Sequence, residues 1–140
     1  MADINFASKR LRTHGNEVVS DYFKFAIGAS GAVGTLSQAT GAFVASVVKT
    51  ATGRYTVTFE KPYPASLLFC NPVLSIASPD GDLVVCQYKS GSYSATAGTF
   101  EIDVADVDGL DGNALAALLL SAVDPANGAE IMVHVAFLEA

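Results

Sequence analysis

The stretch TGRYTVTF at residues 52–59 decides the fold. Within it, Tyr55, Val57 and Phe59 alternate with Thr56 and Thr58, the two-residue period of a strand that buries one face and wets the other. Both residue classes suit a pleated surface. A Thr52-Gly53 turn signal precedes the strand, and Pro62 and Pro64 stop it, because proline takes a donor out of the ladder.

The same period spreads outward in both directions. Upstream, from Asp21, residues Phe23, Phe25 and Ile27 share one face and Tyr22, Lys24 and Ala26 the other. Gly28, Gly31 and Gly34 interrupt that run, and 43–48 resumes as a continuous apolar strand, buried on both faces or lying at a subunit contact. Downstream, 65–77 is apolar with a break at Asn71-Pro72 that predicts a bend or a sheet edge, and Ser78-Pro79-Asp80-Gly81 is a turn. Strands follow at 83–88 and 99–104, the second setting Phe100, Ile102 and Val104 inward against Thr99, Glu101 and Asp103. The last, 131–137, places Ile131, Val133, Val135 and Phe137 inward and Met132, His134 and Ala136 outward.

One segment departs from this pattern. Residues 113–123 (NALAALLLSAV) are strong helix formers behind an Asn113 cap and predict a short helix, an irregular or extended piece being the alternative. Residues 1–19 show no clear period and read as an extended N-terminal arm. The predicted architecture is all-β: the arm over 1–19, then over 20–140 one antiparallel β-sandwich or jelly-roll-like domain of about seven strands.

Composition bounds what such a domain does. At 140 residues, surface scaling predicts that folding removes roughly two-thirds of the chain's area from water, enough for an independent core. The charged fraction of 16% is below the roughly 25% of ordinary soluble domains, which predicts that other subunits cover part of the outer surface, a charge-poor monomer with an unusually large core being the alternative. The net charge of −6 is uneven: residues 1–61 carry +3 and residues 62–140 carry −9. That balance argues against general nucleic-acid binding, which needs a basic stripe. The single basic cluster, Lys9, Arg10 and Arg12, is a docking candidate, a solvated tail being the alternative. Cys70 and Cys86 sit in apolar, strand-like surroundings and read as buried free thiols rather than a disulfide. No apolar segment follows the N-terminal charges as a secretory signal requires, and none is long enough to span a bilayer, which places synthesis in a cytosol.

Candidate chemistry is sparse. IGASGAVG at 27–34 has Gly-x-x-Gly-x-x-Gly spacing instead of a dinucleotide fingerprint, and no helical period follows it. The acidic run 103–113 offers Asp106, Asp108 and Asp111 to Ca²⁺, but Leu110 falls where an oxygen ligand is needed, so a solvated acidic turn is the expectation. There is no Gly-x-Ser-x-Gly elbow, and His14 and His134 lack metal-binding or triad spacing. The expectation is a protein without catalytic residues, cofactor or metal.

Three segments carry a resemblance: FKFAIGASGAVG at 23–34, TGRYTVTF at 52–59 and DPANGAEIMV at 124–133. In sequence and spacing, residues 22–140 resemble small β-rich structural proteins of tailed bacteriophages. The resemblance implies a head decoration (cement) protein or a fibre-associated protein, commonly a homotrimer. Its partner would be the major capsid protein, and its place the capsid surface of a virion assembled in the host cytoplasm. A tail fibre or receptor-binding module is the alternative. A carbohydrate-binding module is the third reading, kept open by Tyr22, Tyr55, Tyr63, Tyr88 and Tyr93 in a chain without Trp.

Overall fold

The computed structural model describes residues 9–13, 16–38, 42–76, 84–108 and 119–139. Among these residues, ten strands occur in chain order: β1 Lys9–Thr13, β2 Asn16–Ile27, β3 Val33–Gln38, β4 Val44–Ala51, β5 Arg54–Phe59, β6 Ser66–Ser75, β7 Val84–Tyr88, β8 Thr99–Asp108, β9 Leu119–Ala122 and β10 Glu130–Leu138. They form two antiparallel sheets packed face to face, a β-sandwich. Sheet A runs β1-β2-β10-β6 with β3 also on β2, and sheet B runs β4-β5-β8-β7 with β9 also on β8.

The alternation sets what the sheets enclose. From sheet A come Val19, Phe23, Phe25, Ile27, Ile131, Val133, Val135 and Phe137, and from sheet B Val44, Val57, Phe59, Phe100, Ile102 and Val104, all buried. Aromatic rings cross the gap between sheets: Phe25 lies 5.4 Å from Tyr55 and Phe137 lies 5.2 Å from Phe59, centroid to centroid. The chain passes from sheet A to sheet B through Gln38, whose Oε1 accepts from the Phe43 and Val44 amides at 2.8 Å each while its Nε2 donates to the Val44 carbonyl.

Two expectations change. Residues 9–13, read as part of an extended arm, pair as β1 with 16–20, because β2 begins five residues before Asp21 and needs a partner there. The helix expected at 113–123 is replaced at 119–122 by β9, which pairs with the far half of β8; sheet pairing overrides propensity in so short a piece, and 109–118 lies outside the described residues. Of the bend or sheet edge expected at Asn71-Pro72, the structure shows the edge: β6 stays in register with β10 through both residues and ends the strand order of sheet A. Proline is tolerated there because β6 is an edge strand. The turn expected at Ser78 to Gly81 lies outside the described residues.

One end of the sandwich is closed by a polar lock centred on Asp124. Lys49 Nζ donates to Asp124 Oδ2 at 2.6 Å and to the Ser30 carbonyl at 2.7 Å, and the Gly53 amide donates to Asp124 Oδ1 at 2.9 Å. The buried Tyr55 hydroxyl donates to the Gly31 carbonyl at 2.8 Å. Glycine is required at both ends of this lock: Gly31 and Gly53 have φ of +70° and +64°. A Cβ on Gly31 would stand 2.7 Å from Asp124 Cγ, and one on Gly53 would stand 2.4 Å from the Val104 carbonyl oxygen. The glycine-rich run is therefore held as part of a structural joint.

The Lys49 hydrogen bond, then the Gly53 amide, hold the Asp124 carboxyl below its ordinary value of 3.8. A depressed carboxylate stabilises the fold above its unfolded pKa, and that contribution is lost as pH falls through the folded value. Asp124→Asn is expected to cost about 1 kcal/mol at pH 7, a fall of a few degrees in Tm. The gap from wild type should begin to narrow as pH falls below about 4, as thermal melts across pH 3–7 would show.

Candidate interaction surface

β10 lies between β2 and β6, so its register lays out the outer face of sheet A row by row. Successive rows are Ala26–Glu130–Ser75, Lys24–Met132–Val73, Tyr22–His134–Asn71 and Ser20–Ala136–Phe69. Their inward neighbours fill the core, so these side chains are not needed for burial between the sheets. Several are nonetheless large and apolar: Tyr22, Phe69, Val73 and Met132 are 53%, 47%, 51% and 48% exposed. A register shift between Ala136 and Phe137 makes Leu68 an unpaired extra residue and turns it outward beside Phe69.

His134 organises the centre of this face. Its ring stacks on Tyr22 at 4.3 Å and 15°, meets Phe69 edge-on at 5.3 Å, and bonds through Nε2 with Ser20 Oγ at 2.7 Å. A histidine beside a serine hydroxyl has the geometry of a base beside a nucleophile. The pair sits on an open sheet face whose backbone amides serve the ladder. Among the described residues this face carries one ion pair, Lys24 with Glu130 at 3.1 Å, exposed and worth about 0–1 kcal/mol.

Sheet B presents the opposite character. Its outer positions pair Arg54 with Asp103 through two bonds of 2.7 and 3.2 Å, Lys89 with Glu101, and Thr50 with Thr56. Val48 is the one large exposed hydrophobic on that sheet among the described residues. Among the described residues, the outer face of sheet B is mainly polar and paired, and that of sheet A carries most of the exposed large apolar side chains.

The residues singled out from sequence fall elsewhere. Lys9, Arg10 and Arg12 lie on β1, in register with Ser20, Val19 and Glu17, at the border of sheet A away from β6. Asp106 and Asp108 lie on β8 opposite Ser121 and Leu119, on a strand rather than in the turn expected of them, and Asp111 is outside the described residues. No three His, Cys, Asp or Glu side chains gather as a metal site among the described residues. His14 is outside the described residues. Of the five tyrosines only Tyr22 is exposed; Tyr55 is buried, and Tyr63, Tyr88 and Tyr93 are half-buried.

Sequence reading missed two features. Asp21 is 4% exposed on the inward side of β2, its carboxyl pushed up by desolvation while the Tyr22 amide donates to it at 2.8 Å. The signal was present, since Asp21 precedes Phe23 by two. The Tyr22–His134–Phe69 cluster had no such signal, because its members meet only through strand order. The chain matches no protein-family model, no curated protein and no solved structure.

Cys70 on β6 and Cys86 on β7 are free, half-buried and packed against the core. Desolvation pushes both thiols up to about 12. At pH 8 the thiolate fraction is then very small, and alkylation by iodoacetamide is expected to run at least about 100-fold slower in the folded protein than in denaturant; timed mass spectrometry checks this.

Proposed function

We propose that this chain is a non-enzymatic structural protein that acts by packing in many copies on a larger particle. The particular form we propose is a decoration protein that binds the major capsid protein on the outside of a tailed-phage head and stabilises it. The observation that carries the structural reading is the outer face of sheet A, where exposed aromatic and aliphatic side chains form one patch on a chain with only 16% charged residues. Large exposed apolar patches with few charges suit a contact surface. The phage setting is supported by the resemblance of the segments at 23–34, 52–59 and 124–133.

Lys9, Arg10 and Arg12 are the candidates for capsid docking. Each exposed ion pair contributes about 0–1 kcal/mol, so affinity would come from repetition and from apolar contact beside them. A glycan-binding module is the second reading, favoured by the exposed rings of Tyr22 and Phe69.

Quantitative mass spectrometry of purified particles tests the proposal. Hundreds of copies per particle are expected; a handful, confined to the tail, would favour the fibre alternative. The combined variant Lys9→Gln, Arg10→Gln, Arg12→Gln is expected to lower occupancy at least about tenfold at physiological ionic strength, with Tm changed by less than about 2 °C. Unchanged occupancy would remove the docking role from this cluster.

A further inference from the structure

We infer that the outer face of sheet A is a copy-to-copy contact: further copies of this chain cover it in a closed symmetric assembly whose interface centres on His134. The inference rests only on the assembly part of the functional reading, and it names the surface and its occupant.

Charge selects the occupant. The chain carries −6, yet on the outward rows of β2, β10 and β6 the charged side chains are Lys24 and Glu130, which neutralise each other at 3.1 Å. A second copy meets no like-charge repulsion there, whereas a strongly charged partner would find nothing to pair with. The strand β6, SLLFCNPVLS, has no charged residue along its ten positions. Aromatic residues and Met are enriched, and charges depleted, at the centres of protein interfaces, and Tyr22, Phe69 and Met132 surround His134 in that manner.

Size is consistent with one contact of a symmetric set. Three strands about 4.8 Å apart and nine residues long give a flat footprint of about 30 by 15 Å. That is below the roughly 800 Å² per partner of a standard interface, before side-chain relief is added. The contact is therefore of modest strength on its own, and closure of a ring or pair, or repetition on a lattice, reinforces it. Pairing along the β6 edge is disfavoured by Pro72, which removes a donor from that strand, so copies meet through the face.

Sedimentation velocity from about 5 to 200 μM tests this on the full chain. Wild type is expected to form dimers or trimers within that range. Met132→Lys and Phe69→Lys, both at exposed positions, are expected to weaken association at least about 30-fold, while Val48→Lys, the same kind of change on sheet B, leaves it intact. Unchanged melting temperature and circular dichroism would show that the variants fold. A wild type that stays monomeric throughout, or face variants that associate like wild type, would overturn the inference. Particle binding separates it from the functional proposal. Monomeric face variants that still coat particles leave the decoration role standing; an oligomeric wild type that never binds particles removes that role and leaves this interface.

Discussion

The interaction on which the rest depends is the burial of two sets of alternate side chains against each other. Phe25 and Phe137 from one sheet meet Tyr55 and Phe59 from the other, with ring centroids 5.4 and 5.2 Å apart. Each fully buried side chain of this size contributes on the order of 1.5–3 kcal/mol, so the aromatic rows and their Val and Ile neighbours dominate the stabilisation. The polar elements serve that packing. Gln38 supplies hydrogen bonds where the chain crosses between sheets, and the Asp124 lock ties Lys49, Ser30 and Gly53 together where the loops close one end.

Because the inward positions suffice for the core, the outward positions are free to differ between the two sheets. Sheet B spends its outward positions on Arg54–Asp103 and Lys89–Glu101 pairs and on threonines, the residues of a face that meets water. Sheet A places Tyr22, Phe69, Val73 and Met132 there, which a solvated sheet does not need. The contrast between two faces of one small domain is a stronger guide than composition, since both are built from the same chain. It is why assembly carries the functional proposal.

Legibility followed the strength of the local pattern. Alternation over 21–27, 54–59, 99–104 and 131–137 was enough to place nearly all the buried residues of β2, β5, β8 and β10. β3 and β9 were not legible: the first is glycine-interrupted and the second is Leu- and Ala-rich, and each becomes a strand because an unpaired edge of β2 or β8 lies beside it. The outward turn of Leu68 follows from a bulge, which is a mismatch between two strands and has no signature within either. Residues 22, 69 and 134 meet through the order β2-β10-β6, over separations that no spacing rule spans.

The amino-acid sequence by itself determined that the chain is all-β, which side of each long strand is apolar, and that its charge is scarce and net acidic. Those properties are local or summed, and side-chain direction in a strand is fixed by a period of two. Only the tertiary structure decided which strands are neighbours, and hence that the outward residues of β2, β10 and β6 merge into one apolar face around His134. Strand order depends on long-range pairing among edges of similar strength, where one register or neighbour wins by the summed burial of the whole sandwich.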